Sequence, residues 1–300
     1  MVLDFYQKMQ DLLRHEARFV LMVVIANEGS SPGRKGFKMA VSKQHMFGTI
    51  GGGIMEHKLV EYARALLTKP TFKPFTKQQI HDKSAPENQS GMICSGHQTI
   101  AFYDIDATYI EVFDTIISEK TTIQFTDQGI HAGEEAKPYL WSHTEPPPNK
   151  VYIIGGGHVG LALCEVLSQL DFEIHILDHR ENLNTMEANT FAHHCQVVAF
   201  EEIEQHIPEG NDIYVVIMSF GYRTDEIIIR RLLGKQFKYI GLMGSKEKIA
   251  TLYKHLIVDG FSKENIDKVH APIGIDIKSE TTQEIAISVA AQLINVKNRG

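Results

Sequence analysis

The sequence predicts an α/β protein whose C-terminal half is a doubly wound parallel sheet and whose N-terminal half is a smaller α+β domain. After about residue 150, valine- and isoleucine-rich runs alternate with helical stretches, which is typical of a parallel sheet buried on both faces. A glycine-rich turn at 155–160 separates the first of these strands from the first helix. Three consecutive prolines, Pro146–Pro148, precede that strand, and neither a helix nor a central strand can contain them.

The proline run sets the domain boundary. Segment 142–150 is predicted to be a stiff connector, which places the N-terminal domain at 1–145 and the C-terminal domain at 150–300. A chain of 300 residues with 43% hydrophobic content is long enough to bury two ordinary cores. The sequence therefore predicts two domains.

The N-terminal half contains its own sequence of helices and strands. Between 68 and 89 the chain is polar and carries prolines. Apolar spacing elsewhere predicts helices over 3–17, 54–67 and 107–118, strands over 19–29, 38–42 and 45–50, a strand centred on 99–103, and a hairpin over 121–134.

Composition restricts the possible partners and compartments. The formal net charge of −7 and the lack of a lysine-arginine run disfavour nucleic-acid binding. The apolar run 19–26 is far shorter than the roughly 20 residues that a membrane span needs, so we expect no membrane association. Three cysteines without a CxxC pair suit a reducing compartment, and we expect a cytoplasmic protein.

Gly155, Gly157 and Gly160 satisfy the pattern G-x-G-x-x-G directly after an apolar strand and before a helix, and Asp178 ends the next strand. The first glycine permits the tight turn, the second lets the main chain approach a pyrophosphate, and the third lets helix and strand pack closely. The helix N-terminus attracts phosphate, and Asp178 is placed to accept hydrogen bonds from ribose hydroxyls. The pattern predicts a Rossmann domain whose pocket either binds a nucleotide or is idle or repurposed. His158 is expected to line this pocket.

The Rossmann pattern is compatible with an NAD(P)-dependent oxidoreductase, which is the enzyme alternative for this chain. Hydride transfer also needs a substrate-side acid or base. No Tyr-x-x-x-Lys signature follows the predicted cofactor strands, so the glycine turn alone does not identify a dehydrogenase.

A second glycine cluster lies in the N-terminal half. Gly51, Gly52 and Gly53, within "GTIGGGIME", precede a predicted helix. They either form a nest of backbone amides that binds an anion, such as a pterin phosphate, or make a tight turn without a ligand. Glu56 falls in the first helical turn, where the helix dipole favours a carboxylate even without a function.

Cysteine chemistry centres on Cys94 in "GMICSGHQTI". A cysteine between glycine-rich bends and beside His97 is a candidate thiolate ligand or sulfur acceptor, although free cysteines are usually buried small apolar residues. Cys164, in a helical stretch, is predicted to be core. The run His193-His194-Cys195 is suggestive of zinc, but no second ligand pair follows at metal-site spacing, so a metal is not predicted there.

Further pocket residues are expected at the ends of the later strands, where α/β domains bind ligands. Ser219, Tyr222 and Arg223 follow one of these strands as secondary candidates. Asp225 is predicted to be a helix cap or a first-turn acid.

Taken together, these blocks resemble the XdhC/CoxI family of accessory proteins for xanthine dehydrogenase and related molybdenum hydroxylases. The resemblance covers nearly the whole chain. It rests on "EGSSPGRKGFKMAV", "GTIGGGIMEHKL" and "CSG" in the first half, and on "IIGGGHVG", "LDHRE", "YIGLMGSKEK" and "PIGIDIKSETTQEIAISVAAQL" in the second.

The resemblance implies an accessory protein that is a cofactor-binding chaperone rather than a catalyst. It implies binding of the molybdenum cofactor (molybdopterin) and help with its sulfuration and insertion into a client hydroxylase such as xanthine dehydrogenase, with a sulfur donor protein as a further partner and a homodimer as the expected assembly. By matched position, the cofactor-binding residues are Gly51, Gly52, Gly53, Glu56, Gly155, Gly157, Gly160 and Asp178, with Cys94 as thiolate ligand of molybdenum or sulfur acceptor.

Two regions depart from the family pattern. Ser95 stands where the family has glycine after the cysteine. Ser219, Phe220 and Tyr222 stand where relatives often carry Thr-His or Arg-x-His after a strand. The second departure bears on which ligand the C-terminal pocket recognises.

Overall fold

The structure is a computed structural model that describes residues 2–80, 96–119, 121–133, 140–144 and 148–299. The chain divides into two compact units, Met1–Pro146 and Pro147–Gly300. Within the part of the chain that the structure describes, none of the helices is both long enough and apolar enough to cross a bilayer.

The N-terminal unit is an α+β structure built on an antiparallel sheet of order β3-β2-β1-β5-β4. A smaller antiparallel sheet has the order β7-β6-β8. The elements are α1 (Val2–His15), β1 (Arg18–Gly29), β2 (Lys38–Val41), β3 (Met46–Gly48), α2 (Gly53–Leu67), β4 (Phe75–Ile80), β5 (Gly96–Asp106), a 3₁₀ turn (Ala107–Tyr109), α3 (Ile110–Glu119), β6 (Thr122–Phe125), β7 (Ile130–Ala132) and β8 (Trp141–Thr144).

Strand β1 contains a continuous apolar run because both of its faces are buried. Successive side chains of a strand point to opposite faces, and both faces of β1 are covered. Phe19 and Leu21 pack with α1, α3 and the small sheet, whereas Val20 and Met22 pack with α2. A run without polar alternation is therefore what a strand between two cores requires.

Gln98 on β5 links two loops of this unit. Its fully buried side chain accepts hydrogen bonds from the Ser31 hydroxyl (2.7 Å) and the Gly33 amide (2.9 Å), and it donates to the Ile50 carbonyl (2.9 Å). A Cβ at Gly33 would lie 2.3 Å from the Ile50 oxygen, so the two loops contact each other through main chain. Gln98 therefore holds the loop that leads into Gly51–Gly53.

The C-terminal unit is a six-stranded parallel sheet of order β11-β10-β9-β12-β13-β14. This is the Rossmann order, with the switch point between β9 and β12. The elements are β9 (Asn149–Ile154), α4 (His158–Leu167), β10 (Phe172–Asp178), α5 (Asn184–Glu187), β11 (His194–Val197), a 3₁₀ turn (Phe200–Gln205), β12 (Gly210–Ile217), α6 (Tyr222–Leu232), β13 (Phe237–Leu242), α7 (Lys246–Val258), α8 (Lys263–Asp267), β14 (Val269–His270) and α9 (Thr282–Arg299).

The central strands of this sheet are buried on both faces. On β9, Val151 and Ile153 pack with α4 and α9, whereas Tyr152 and Ile154 pack with α6 and α7. Helix α9 begins with a reciprocal capping box, in which the Glu284 amide donates to the Thr281 hydroxyl and the Thr281 amide donates to the Glu284 carboxylate. Helices therefore cover both faces of the sheet, as the alternation of strands and helices in the sequence predicts.

The predicted fold class is confirmed, with local differences. Strand β4 lies in the polar stretch 68–89, where its sequence Phe-Thr-Lys-Gln-Gln-Ile lacks an apolar alternation because it is an edge strand with a largely exposed face. Strand β8 extends to Thr144, so the predicted connector 142–150 begins inside a strand. Strand β14 and helix α8 are too short to carry a periodic signal.

Replacing Gln98 by leucine tests the link between the loops. The change leaves the Ser31 hydroxyl, the Gly33 amide and the Ile50 carbonyl without this partner, and a buried unpaired polar group costs roughly 1–3 kcal/mol. We expect the free energy of unfolding of the N-terminal unit to fall by about 2 to 4 kcal/mol. The free energy of unfolding of this unit is measured by urea titration, with the fluorescence of Trp141 as the signal. Trp141 is the single tryptophan of the chain and lies in this unit.

Gln78→Leu is the matched control, because Gln78 is an exposed residue of the neighbouring strand β4. It is expected to change the free energy by no more than about 0.5 kcal/mol. Equal effects of the two substitutions would contradict the role assigned to Gln98.

Candidate functional site

The glycine turn between β9 and α4 is formed by close main-chain contacts. Gly155 has a φ of +128°, and a Cβ there would lie 2.3 Å from the Met218 carbonyl oxygen at the end of β12. A Cβ at Gly160 would lie 2.2 Å from the Gly155 oxygen. At Gly157, by contrast, a Cβ would meet nothing within 4 Å. Gly155 and Gly160 therefore shape the turn, and Gly157 faces open space.

Asp178 holds this turn in place. Its side chain is 1% exposed, and one carboxylate oxygen accepts a hydrogen bond from the Gly156 amide (2.7 Å). The Arg180 side chain donates to both oxygens (2.9 and 2.8 Å), and the Arg180 amide donates to one of them (2.9 Å). Burial alone would raise the pKa of Asp178, but these hydrogen bonds and the guanidinium charge outweigh it and lower the pKa to about 2.

The spacing of Asp178 predicts that it accepts hydrogen bonds from ribose hydroxyls, but in the structure its partners are groups of the protein. Both oxygens already accept hydrogen bonds from Gly156 and Arg180, so the carboxylate ties the turn to β10. A ribose would have to compete with a bidentate guanidinium for the same oxygens. Arg180, two residues after the acid, is the sequence signal that identifies this arrangement.

A crevice of about 610 Å³ opens at the carboxyl ends of β9, β10 and β12. Its lining residues come from the start of α4, from the segment after β10, and from the ends of β12 and β13: Gly157, His158, Val159, Gly160, Arg180, Asn182, Leu183, Asn184, Thr185, Met218, Ser219, Phe220 and Met243. His158 lines it, as the sequence predicts. The crevice lies at the switch point of the sheet, where such domains bind ligands.

Phe220 is the most unusual side chain of this crevice. It is 79% exposed, and the Arg180 guanidinium carbon lies 5.7 Å from the ring centroid. An exposed aromatic ring that contacts a cation beside a glycine turn offers a surface on which a flat ligand ring can stack. The sequence identified Phe220 only as a departure from the family pattern.

A buried charge pair lies behind the crevice. Asp225, in the first turn of α6, is fully buried and accepts hydrogen bonds from Ser219 and from the Lys248 ammonium group. Asp225 is therefore a first-turn acid, as predicted, but its partner Lys248 lies 23 residues away in sequence. Lys248 was missed by sequence reasoning because nothing in its own neighbourhood indicates that it pairs with α6.

A second cavity of about 500 Å³ adjoins the first and shares Met243 with it. It is lined by the loop 272–279, by the start of α7 and by the start of α9. Tyr222 and Arg223, the secondary candidates from the sequence, line neither cavity.

The N-terminal glycine loop binds a carboxylate of its own chain. Gly51, Gly52 and Gly53 have φ values of +127°, +75° and +70°, a left-handed run that only glycine adopts readily. One oxygen of Glu56 accepts hydrogen bonds from the Thr49 hydroxyl (2.6 Å) and from the amides of Ile50 (2.9 Å) and Gly52 (3.0 Å). The sequence leaves open whether this loop binds an anion, and in the structure Glu56 of the same chain occupies the amides of Ile50 and Gly52.

The structure describes two of the three cysteines, and these two differ in burial. Cys94, the predicted thiolate, lies outside the described residues. Cys164 is fully buried in the core, as predicted, and burial raises its pKa to about 11. Cys195 is exposed on the edge strand β11.

Comparisons with known proteins identify relatives of both units. A family model described as the XdhC Rossmann domain matches residues 151–293, and one described as the XdhC and CoxI family matches residues 12–75. The chain is 24% identical to the uncharacterized protein YqeB of Escherichia coli K12 over 99% of its own length, but it spans only 47% of YqeB.

Two further relatives match the chain nearly from end to end. The chain is 22% identical to a Bacillus subtilis 168 protein named as a probable xanthine dehydrogenase subunit, covering 99% of this chain and 98% of that protein. A crystal structure described as a xanthine dehydrogenase from Bacillus halodurans superimposes with a TM-score of 0.76 at 22% identity, covering 98% of this chain and 96% of that one. The latter likeness supports the fold. Because the two family models match the regions that contain both glycine loops, this chain belongs to the XdhC and CoxI family.

Proposed function

We propose that this protein is an accessory protein of xanthine dehydrogenase or a related molybdenum hydroxylase, and that its C-terminal crevice binds the molybdenum cofactor. Family membership and the name of the full-length Bacillus subtilis relative support the accessory role. One observation carries the binding role: a single crevice pairs an open helix N-terminus at Gly157 with the exposed ring of Phe220.

The phosphate of the cofactor is assigned to the N-terminus of α4. The first amides of a helix have no partner within the helix, and the dipole favours negative charge there. Gly157 precedes α4 in extended conformation (φ −70°, ψ −170°), and no atom stands within 4 Å of the position of its missing side chain. A phosphate can therefore approach the main chain closely at this point.

The pterin ring is assigned to the surface formed by Phe220 and Arg180. An aromatic ring that is 79% exposed and in contact with a guanidinium group can stack against a flat heterocycle. Leu183, Met218 and Met243 supply apolar contacts in the same crevice. The crevice thus offers separate surfaces for the charged and the flat parts of the ligand.

Charge favours the C-terminal loop over the N-terminal loop as the phosphate site. Arg180 neutralises the carboxylate that holds the Gly156 amide. Among the described residues, Glu56 has no lysine or arginine partner, so its negative charge would repel a phosphate at Gly51–Gly53. We therefore assign the glycines at 51–53 and Glu56 to the shape of the N-terminal loop.

The alternative, an NAD(P)-dependent oxidoreductase, would need an acceptor for the adenosine ribose. The strand order of the sheet is compatible with a dinucleotide. Asp178, however, already binds Gly156 and Arg180 with both oxygens. A pterin has no such ribose diol, and the crevice therefore suits it better.

Cys94 is proposed as the thiolate that contacts molybdenum or accepts sulfur, because soft thiolates suit such a metal. Sulfuration with a donor protein and a homodimeric assembly follow from the family resemblance, and a cytoplasmic location follows from the cysteine content. These three expectations complete the proposal. Cofactor retention by a Cys94→Ala variant tests the thiolate contact separately from the crevice.

The proposed function is tested by measuring binding of molybdopterin and of NADH in separate fluorescence titrations of the purified protein. We expect saturable binding of molybdopterin and none of NADH. Tight NADH binding with indifference to molybdopterin would replace the proposal with the oxidoreductase alternative. Indifference to both ligands would refute a ligand-binding crevice.

Gly157→Ala tests the phosphate position. The methyl group enters open space at an allowed φ, so the fold is unaffected, but it fills the approach to the helix N-terminus. We expect a loss of molybdopterin affinity of about 10-fold, since overpacking costs about 1–3 kcal/mol. Affinity comes from the same fluorescence titration, and thermal unfolding serves as the control for folding.

Unchanged affinity of Gly157→Ala with an unchanged melting temperature would exclude this end of α4 from the binding site. A lower melting temperature would instead show that Gly157 is required for the turn itself.

Phe220→Ala tests the stacking surface. Loss of an aromatic stacking partner costs about 1–3 kcal/mol, so we expect affinity for molybdopterin to fall by about 10-fold. Phe220→Trp should retain binding, and its fluorescence should be quenched by the pterin. Val258→Ala is the control, because Val258 is 83% exposed on the same unit and lies outside both cavities. Equal affinities of all three variants would exclude stacking on this residue.

Asp178→Asn tests whether this carboxylate stabilises the turn. The folded pKa is lowered from 3.8 to about 2, so the carboxylate stabilises the fold above about pH 4, and this contribution disappears as pH falls towards 2. We expect the variant to lose about 2 kcal/mol at pH 7, and the difference from wild type to shrink below pH 4. The free energies of unfolding of wild type and variant are measured by urea denaturation at several pH values, with circular dichroism as the signal.

Asp267→Asn is the control for the pH series, because Asp267 is an exposed carboxylate at the end of α8 in the same unit. It should leave stability unchanged at every pH. A difference between wild type and Asp178→Asn that persists at pH 2 would contradict the electrostatic explanation.

A further inference from the structure

We propose that Glu173, His175 and His194 form a binding site for a divalent transition-metal ion of the zinc class. The sequence showed the run His193-His194-Cys195 without a second ligand pair at metal-site spacing. The fold supplies further ligands, because β10 and β11 are adjacent parallel strands and His175 pairs directly with His194. Glu173 lies two residues before His175, and residues two apart on a strand share a face.

The three ligand atoms lie close together. His175 Nε2 lies 2.9 Å and His194 Nε2 3.6 Å from the same oxygen of Glu173, and the three ligand atoms lie within 4.8 Å of one another. Zinc bonds of about 2.0–2.1 Å in a tetrahedron place neighbouring ligand atoms about 3.3 Å apart. The two measured distances lie on either side of that value.

The ligand types select the kind of metal. Two imidazole nitrogens and one carboxylate oxygen suit zinc and neighbouring transition metals, whereas magnesium and calcium prefer oxygen ligands alone. Three protein ligands leave the fourth tetrahedral position to water.

One histidine is fixed and the other can adjust. The His175 ring stacks between Tyr152 and His194, with centroid distances of 4.4 Å on both sides. A metal lies in the plane of each imidazole that it binds, so the stacked His194 ring must turn for both nitrogens to face one cation. The side chain of His194 is 59% exposed, and it can therefore turn without disturbing the core.

Lys150 on β9 is the charged neighbour that opposes metal binding. It pairs in register with Glu173, and its charge acts on both Glu173 and His175. A nearby ammonium group repels a divalent cation, so its removal should strengthen the site. A purely structural stack of rings would show no such dependence.

The metal site is separate from the proposed cofactor site. Glu173 is the second residue of β10 and Asp178 the last. Five residues of strand at about 3.3 Å each place them roughly 16 Å apart. Metal binding can therefore succeed or fail independently of the proposed function.

The test is a zinc titration in competition with a chromogenic chelator, using the full chain without an affinity tag and with Cys94→Ser in every protein. We expect one zinc per chain. His194→Ala, at an exposed position, and the isosteric Glu173→Gln should each weaken it about 10-fold or more, since even loss of an outer-shell partner costs about 10- to 100-fold. Lys150→Gln should tighten binding about 3-fold.

His57→Ala, which removes an exposed histidine of α2, is the matched control and should leave binding unchanged. An excess of magnesium should not displace the zinc. Failure to bind zinc, or equal zinc affinity of wild type, His194→Ala and Glu173→Gln with unchanged melting temperatures, would overturn the proposal. Loss of molybdopterin binding in these variants with zinc binding retained would also count against the separation of the sites.

Discussion

The C-terminal crevice depends on main-chain contacts that exclude side chains. Gly155 lies against the Met218 carbonyl, and Gly160 lies against Gly155. These contacts bring the end of β9, the end of β12 and the start of α4 within a few ångströms of one another. These backbone contacts position the elements around the crevice, and most of its lining residues carry side chains, among them Arg180, Met218 and Phe220.

Each unit stabilises a glycine loop with a carboxylate from its own chain. Glu56 accepts from the amides of Ile50 and Gly52, and Asp178 accepts from the amide of Gly156. In both places the carboxylate accepts hydrogen bonds from backbone amides of a tight turn that would otherwise lack a partner in the protein. The difference lies in the partners, because Arg180 pairs with Asp178 whereas Glu56 has no lysine or arginine partner among the described residues. The two loops look alike in sequence, but their carboxylates have different partners.

Sequence patterns predicted the elements whose structure depends on neighbouring residues, and they missed contacts between residues far apart in the chain. The glycine spacing and the apolar runs identified the parallel sheet and the turn between β9 and α4. The contacts of Gln98 with Gly33 and Ile50, and of Asp225 with Lys248, join residues 23 to 65 positions apart. Such pairings depend on the register of strands and on which helices become neighbours, and neither can be read from a single sequence without the fold.

The same reasoning explains why His194 of β11 could not be interpreted from the sequence. His194 gains its partners only when β11 joins the edge of the sheet beside β10. Strand β11 has four residues, all largely exposed, so few buried contacts hold it to the sheet. A cation bound jointly by Glu173, His175 and His194 would cross-link this edge strand to its neighbour. Short edge strands with little buried surface are where such a cross-link adds most to the pairing, because the ladder alone contributes least there.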